Sequence, residues 1–220
     1  MSTLFEIAPL KDSQISCIGL MLTGGDSKRF QSNKLSAKFG SSTIAKITAG
    51  NLTKALPIAF EAGVALTDLP QIPDTTGKGP LAAISQTYRY LKQISDSILF
   101  THLFVLAADM PLVQPATIKS IAAWPTCNSV VPVCNSREQY LCARWSLEAL
   151  ELSLQLVNDG TLKVKDALLK SDTEWVDAKK FASVSLTEFE DIDTEQDYTN
   201  ALIFKSNLTQ PGSKSDEFAI

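Results

Sequence analysis

Residues 17–34 of this 220-residue chain read CIGLMLTGGDSKRFQSNK. Cys17–Thr23 is a short apolar run that ends at two glycines, which predicts a buried strand followed by a turn. Apolar strand-like and helix-like segments alternate along most of the remaining chain. This alternation predicts an α/β protein in which helices cover both faces of a mostly parallel sheet.

Apolar spacing places the other elements. The helix that Pro80 opens has apolar residues at spacings of three, four and three, from Leu81 to Leu91. The other predicted helices are Thr43–Leu56, Pro115–Trp124, Leu147–Val157 and Thr194–Phe204. Strands are predicted within Pro57–Leu66 and at His102–Ala107, Ser129–Val133, Gln139–Trp145, Glu174–Asp177 and Phe189–Asp193.

The length suits one domain. We expect a lead-in over residues 1–16, a single folded domain over residues 17–205 and a disordered tail over residues 206–220, which is polar and contains Pro-Gly. Hydrophobic residues make up 45% of the chain and the mean hydropathy is +0.05, which suffices for a core without disulfides or metal.

Composition argues against several classes of function. The net charge of −4 and the pI of about 5.1 disfavour a nucleic-acid interface, which needs a basic stripe. No apolar stretch is long enough to span a membrane, and Met1–Ile15 does not resemble a secretory signal, so a cytoplasmic protein is expected. The four cysteines form no CxxC pair and are predicted to be reduced, buried thiols. His102, the one histidine, is predicted to be structural.

The loop after the first strand carries groups that suit a triphosphate. Gly24 and Gly25 let backbone N–H groups approach an anion, and Ser27 adds a hydroxyl donor. Arg29 and Lys34 add positive charge. The loop matches neither GxxxxGK[ST] nor GxGxxG. Taken alone, it is also compatible with a glycine-rich turn that carries two exposed cations.

A second Gly- and Pro-containing loop precedes a helix. Residues 73–83 read PDTTGKGPLAA, and Gly79, Pro80 and Leu81 stand where the helix begins. Backbone donors at a helix N-terminus favour anions, so this loop is a candidate nucleotide contact. An ordinary strand-to-helix turn explains the same residues.

Carboxylates supply candidate metal ligands. Asp109 follows an apolar strand and precedes Met110-Pro111, a position that suits Mg²⁺, although a capping or turn role is equally compatible. Asp191 and Asp193 share one face if Phe189–Asp193 is a strand, and one of them is a candidate second ligand. Asp193 or Thr194 is also a good N-cap for the last helix.

Together these segments resemble the molybdenum cofactor guanylyltransferase (MobA) family and its nucleotidyltransferase relatives. LTGGDSKRFQSNK is similar to the family's LAGGxSxRMGxDK, GPLAA to GPLAG, AADMP to CDMP, and DIDTEQD to NxNTPED. Order and spacing both match, from about Ile18 to Ala201.

The resemblance implies a nucleotide-diphospho-sugar-transferase-like (Rossmann-like) three-layer α/β/α sandwich. GTP would bind the first loop, and the phosphate of molybdopterin would attack its α-phosphorus and release pyrophosphate, in a Mg²⁺-dependent reaction. Arg29 and Lys34 would contact the triphosphate, and Asp109 would hold Mg²⁺ with Asp193 or, second, Asp191. Leu22, Thr23 and Gly24 would contact the base, and Asp74 would touch nucleotide. Molybdoenzyme maturation proteins are possible partners.

Departures from the motifs leave three hypotheses open. Gln31 and Asn33 stand where the family usually has Gly and Asp, and Thr23 and Ala83 also differ. The chain is therefore an active guanylyltransferase, a transferase that uses CTP or another acceptor, or a diverged binding protein without catalysis. Arg137, Gln139 and Arg144 lie in the stretch where acceptor contacts are sought, but also suit surface or cross-strand positions.

Overall fold

The structure is a computed structural model that describes residues 17–24, 34–73, 75, 79–94 and 99–209. It confirms the alternation of strands and helices. The strands are β1 Cys17–Thr23, β2 Lys38–Phe39, β3 Ser42–Thr43, β4 Ala59–Gly63, β5 Gln71–Ile72, β6 His102–Ala107, β7 Ser129–Cys134, β8 Arg137–Glu138, β9 Cys142–Ser146 and β10 Thr173–Asp177. The helices are α1 Ile44–Ala55, α2 Pro80–Gln93, α3 Pro115–Ala122, α4 Leu147–Asn158, α5 Val164–Lys170 and α6 Glu195–Thr209. Short 3₁₀ helices span Lys34–Ser36, Ala178–Lys180 and Leu186–Phe189.

The central sheet has the strand order β10-β7-β9-β6-β1-β4-β5, with β8 paired to the outer part of β7. β1 runs parallel to both β4 and β6, β4 to β5, and β10 to β7. β9 is antiparallel to both of its neighbours. The sheet is therefore mostly parallel, as predicted, with β9 and the short β8 as its two reversed strands. β2 and β3 form a separate antiparallel hairpin.

Alternate side chains of the buried strands enter two separate cores, because successive strand residues point to opposite faces. Met21 packs in the core that α1 and α3 cover, with Leu52 and Ile118. Leu20 packs in the core that α2, α4 and α5 cover, with Ile84. These two cores on either side of one sheet make the molecule a three-layer α/β/α sandwich.

The predicted strand at Phe189–Asp193 is absent. Residues 186–189 form a 3₁₀ helix and residues 190–193 have no regular structure, so Asp191 and Asp193 do not share a strand face. The cause is Glu188, which is fully buried and accepts hydrogen bonds from the backbone N–H groups of Gln114, Ser183 and Val184. These bonds fold the segment into a compact turn against α3.

The last helix is longer than predicted. α6 continues to Thr209, so the expected boundary at residue 205 falls inside it. Ser206 fits the final turns because its hydroxyl donates to the Ile203 carbonyl. Residues 1–16 and 210–220 lie outside the described residues, and the division into lead-in, domain and tail stays a prediction. No helix among the described residues is both long and apolar enough to cross a bilayer.

Candidate active site

The candidate residues gather at the carboxyl-terminal edge of the central strands. β1, β4 and β6 end side by side, with Thr23 opposite Gly63 and Leu22 opposite Ala107. Ligands of open α/β sheets bind outside this edge. Asp109 follows β6 directly and therefore lies at the same edge.

Three predicted site residues meet in one cluster, which we call the Lys34 cluster. The Lys34 ammonium donates hydrogen bonds to Asp109 Oδ2 at 2.8 Å and to Asp193 Oδ1 at 2.7 Å. The two carboxylates are 75 and 159 residues from Lys34 along the chain, so the cluster unites three distant segments. The side chains of Lys34 and Asp109 are 12% and 21% exposed, whereas Asp193 is 48% exposed.

The hairpin β2–β3 fixes the chain just after Lys34. The Tyr198 hydroxyl of α6 donates to the Lys38 carbonyl. The Lys205 ammonium of the same helix donates to the Phe39 carbonyl at 3.2 Å and lies 4.7 Å from the centre of the Phe39 ring. The hairpin is thereby fastened to α6, which positions the short helix that Lys34 begins.

Backbone and α1 contacts hold Asp109. The Ala108 N–H donates to the Leu22 carbonyl at 3.0 Å, and the Thr48 hydroxyl of α1 donates to the Ala108 carbonyl at 2.9 Å. The Asp109 carbonyl accepts from the Ile192 N–H at 3.0 Å. This last bond also brings the segment of Asp193 beside Asp109.

Asp193 is positioned by the residue that caps α6. Oδ2 of Asp197 accepts from the backbone N–H groups of Asp193, at 3.1 Å, and of Thr194, at 2.8 Å, and from the Thr194 hydroxyl. Asp197 thus satisfies donors that the helix leaves unpaired at its start. The predicted capping role therefore belongs to this Thr194–Asp197 pair, and the Asp193 side chain is directed to Lys34.

Asp191 lies outside the Lys34 cluster. Its carboxylate pairs with the Arg137 guanidinium at 3.3 Å, a solvent-exposed contact in which Arg137 is 70% exposed. Of the two acidic residues predicted as alternatives, Asp193 is the one that shares a partner with Asp109. Arg137, a candidate for acceptor contacts, forms its ion pair with Asp191.

Electrostatics leave the cluster with excess negative charge. Burial raises the pKa of Asp109, Lys34 opposes that rise, and the negative charges of Asp191 and Asp193 add to it. For Lys34, burial alone would lower the pKa, but Asp109 and then Asp193 raise it above its ordinary value of 10.5. One ammonium thus faces two carboxylates, and the site favours an additional cation.

The donor set fits a divalent metal that also binds substrate. Two carboxylate oxygens already converge on one cationic atom, and carboxylates are the protein ligands that Mg²⁺ prefers. Within the described ranges, no group of three or more His, Cys, Asp or Glu residues is placed to hold a metal. A metal here would have two protein carboxylates and would take its other ligands from phosphate and water, as Mg²⁺ commonly does.

The end of β1 supplies backbone groups. Leu22 and Thr23 are buried and Gly24 is exposed. The Thr23 hydroxyl donates to the carbonyls of Ala62 and Val64, at 3.1 and 2.7 Å, so it fastens β1 to β4. This leaves backbone rather than side-chain groups for a ligand.

Two residues that support this edge were not predicted. Gly63 has a φ of +116°, and a Cβ there would lie 2.9 Å from Thr23 Oγ1 and 3.0 Å from the Gly24 nitrogen. Only glycine fits this close approach. The Thr75 hydroxyl accepts from the Gly63 N–H at 2.8 Å and donates to the Ile72 carbonyl at 3.2 Å. Gly63 could have been predicted, because it is a glycine within the predicted strand segment. No feature of the sequence indicated the role of Thr75.

The N-terminus of α2 is open to a ligand. Gly79 precedes the helix with a φ of +79°, Pro80 occupies its first turn and Leu81 is fully buried. None of the described side chains caps this helix start. Its N–H groups and their positive partial charge therefore suit an anion.

Several predicted site residues and motif positions lie outside the described residues: Gly25, Ser27, Arg29, Gln31, Asn33 and Asp74.

Other candidates are structural. Arg144 is fully buried and donates to the carbonyls of Ala122, Trp124, Thr126 and Asn128, so it clamps the loop after α3 and does not face an acceptor.

The structural prediction for His102 is confirmed. Its ring is buried, and Nε2 donates to the Cys127 carbonyl at 3.0 Å. Burial, followed by the charge of Arg144, lowers the pKa of His102. All four cysteines are free thiols. Cys134 and Cys142 are buried, Cys17 is partly buried and Cys127 is exposed.

Comparison with known proteins identifies the family of the chain. Residues 19–173 match the family model of the MobA-like NTP transferase domain. A Bacillus velezensis protein named "Probable molybdenum cofactor guanylyltransferase" is 30% identical over 208 residues, covering 88% of this chain and 98% of its own length. The Rhizobium leguminosarum molybdenum cofactor guanylyltransferase is 29% identical over 160 residues, covering 70% and 75%.

Solved structures share the fold. Molybdopterin-guanine dinucleotide biosynthesis protein A of Archaeoglobus fulgidus superposes with a TM-score of 0.68 at 17% identity, covering 86% of this chain and 98% of the other. A Mycobacterium tuberculosis protein, solved in complex with manganese, gives 0.59 at 17% identity over 86% and 98%. The chain belongs to the MobA-like NTP transferase family and is a nucleotidyltransferase of that type.

Proposed function

We propose that the chain transfers GMP from GTP to molybdopterin and releases pyrophosphate, in a Mg²⁺-dependent step of molybdenum cofactor biosynthesis in the cytoplasm. The observation that carries the proposal is the Lys34 cluster, which joins the phosphate-loop lysine to both motif carboxylates within 2.8 Å. Molybdoenzyme maturation proteins would receive the product. The names of the relatives support this choice of substrates.

The reaction requires placement and charge neutralisation. An oxygen of the molybdopterin phosphate forms a bond to the α-phosphorus of GTP, and the bond between that phosphorus and the α–β bridging oxygen breaks. The attacking phosphate is already ionised, so the site needs no general base, and pyrophosphate leaves as an anion. This chemistry agrees with the structural role of His102.

Residues of the chain divide the work. Lys34 and Arg29 would neutralise triphosphate oxygens, and the Gly25 N–H and the Ser27 hydroxyl are expected from the motif to donate hydrogen bonds to them. Asp109 and Asp193 would hold Mg²⁺, which when bound would offset the charge of the leaving pyrophosphate.

The base is proposed to lie at the end of β1. Leu22, Thr23 and Gly24 offer backbone groups there, because the Thr23 hydroxyl is already bonded to β4. Asp74 and the N-terminus of α2 at Gly79, Pro80 and Leu81 are expected to line the nucleotide. The two consecutive glycines favour GTP over CTP, as in the LAGG motif of the guanylyl branch.

The test combines purified protein with Mg·GTP and molybdopterin and measures pyrophosphate and the dinucleotide product. We expect turnover to fall at least about 100-fold in both Asp109→Asn and Asp193→Asn, because each replaces a carboxylate proposed to hold Mg²⁺ with a neutral amide. Asp172→Asn, an exposed residue outside the site, is the matched control and should retain activity.

Parallel reactions with CTP test the base. Product from GTP that is absent with Asp109→Asn supports the proposal. Wild-type product no greater than that of Asp109→Asn would refute transfer, and faster reaction with CTP would refute the choice of GTP.

A further inference from the structure

A separate cavity lies between α2 and the end of α4. It encloses about 220 Å³, and its polar lining consists of Thr75, Ser85, Gln86, Arg89 and Asn158. None of these residues belongs to the Lys34 cluster. We call this space the α2–α4 cavity.

Four polar side chains face this cavity without a partner. Across the described part of the chain, Ser85, Gln86, Arg89 and Asn158 form no side-chain hydrogen bond or ion pair. Ser85 is only 2% exposed, and it lines the cavity. A ligand that accepts hydrogen bonds could pair with its hydroxyl there.

The charge of the lining selects an anion. Among the described residues that line the cavity, Arg89 is the one that carries a charge and none is acidic. A guanidinium presents several N–H donors in a planar fork that matches oxyanions such as phosphate. The hydroxyl of Ser85 and the amides of Gln86 and Asn158 add further donors.

The nearby C-terminus of α4 does not oppose an anion strongly. Its last carbonyls, of Gln155, Leu156 and Val157, already accept from the N–H groups of Asp159, Thr161 and Gly160. These bonds reduce the negative partial charge that an uncapped helix end would present.

The size of the cavity limits the ligand. Its 220 Å³ is below the roughly 300–1,000 Å³ of pockets for larger ligands, so it suits a phosphate group or a small phosphate ester rather than a nucleotide. We infer that the α2–α4 cavity is a second binding site, for a small phosphate-bearing anion held by Arg89 and Ser85. Thr75 joins this cavity to Gly63 at the nucleotide edge.

The site goes beyond the proposed transfer reaction, and its test does not require that reaction. Inorganic phosphate is titrated into the full-length protein and followed by calorimetry. Wild-type protein should bind phosphate saturably in the millimolar range or below. Arg89→Gln should weaken binding at least about tenfold, because it removes the charge-assisted hydrogen bonds of the guanidinium to the phosphate.

A matched control lies on the same helix. Lys92 is also an exposed cation of α2 but pairs with Glu151 at 3.3 Å and does not line the cavity. Lys92→Gln removes the same charge and should leave the affinity within about twofold.

A second variant tests the buried donor. Ser85→Ala should weaken phosphate binding several-fold, and the protein should remain folded because the change removes a single oxygen atom. If phosphate bound only at the triphosphate site, Arg89→Gln would not change its affinity. An affinity unchanged in Arg89→Gln, or the absence of saturable binding by the wild-type protein, would overturn the inference.

Discussion

At the scale of single residues, Lys34 has two possible sets of partners. Its ammonium lies between Asp109 and Asp193, where a divalent cation that binds both carboxylates would also lie. The proposed reaction requires the same ammonium to contact triphosphate oxygens. Lys34 and the metal therefore compete for the carboxylates, and the nucleotide offers Lys34 an alternative set of anionic oxygens.

This competition makes the Lys34→Met variant informative. Without nucleotide, we expect Mn²⁺ to bind Lys34→Met several-fold more tightly than wild-type protein, because the two carboxylates lose their resident cation. Affinity for GTP should fall in the same variant, because a phosphate partner is lost. Electron paramagnetic resonance of free Mn²⁺ measures the first effect and calorimetry the second.

Lys38→Met serves as the control, since Lys38 is an exposed lysine of the adjacent hairpin. It should change neither affinity by more than about twofold. If Mn²⁺ bound Lys34→Met no more tightly than the wild-type protein, Lys34 and the metal would not share a site.

The sequence identified these residues individually but not their arrangement. Lys34 and Asp109 were predicted from residue type and position after a strand. Asp193 was predicted with Asp191 from a shared strand face, and was preferred through the motif resemblance. The bridge between them depends on distances that no spacing along the chain provides. The hydrogen bond from the Thr23 hydroxyl to β4, and the close approach of Thr23 to Gly63, are likewise tertiary contacts.

At the scale of elements, the start of α6 controls the position of Asp193. Asp197 accepts three hydrogen bonds from Asp193 and Thr194, and these are the bonds that shape the turn. Loss of this cap would leave backbone donors unpaired and release the Asp193 segment.

We therefore expect Asp197→Ala to lower the free energy of unfolding by about 1 kcal/mol and to reduce transfer activity. Urea unfolding measures the first effect. Gln196→Ala, at the residue before Asp197, is the control and removes an exposed hydrogen bond to Asn200. Its free energy of unfolding should stay within about 0.5 kcal/mol of wild type. A loss of equal size in both variants would contradict a specific capping role.

The effect of Asp197 should depend on pH. Burial alone would raise the pKa of Asp197, but the hydrogen bonds from Thr194 and Asp193 lower it below the ordinary value of 3.8. Because the folded pKa is the lower one, the stabilisation is fully present above 3.8 and is lost as the pH falls through the folded pKa. The difference in unfolding free energy between wild type and Asp197→Ala should be constant above about pH 5 and shrink below about pH 4. A difference that grew at acid pH would exclude this carboxylate as the cause.

Helices and strands were predictable where apolar residues recur at regular spacing and no buried polar group overrides that pattern. His102–Ala107 was predicted as the strand that the structure has, and the buried residues of α2 include Leu81, Ile84 and Leu91. Phe189–Asp193 was predicted wrongly because the buried carboxylate of Glu188 outweighs local strand preference. The helix predicted at Leu147–Val157 is α4, in which Leu147 is exposed in the first turn while Ala149 and Leu150 are buried.

At the scale of the whole molecule, the sheet explains why distant motifs meet. Parallel strands end at one edge, so the segments after β1 and β6 are neighbours although far apart in sequence. Strand alternation predicted this architecture. It did not predict that β9 runs opposite to both neighbours, because strand direction depends on the connections between strands and not on hydrophobic periodicity.

The most direct test of the central claim is a crystal structure with GTP and Mn²⁺, in which anomalous scattering locates the metal. The account predicts a metal bound by both Asp109 and Asp193, with the Lys34 ammonium moved from between them onto the triphosphate. A structure in which Lys34 still bridges the two carboxylates beside bound GTP, with the metal elsewhere, would contradict it.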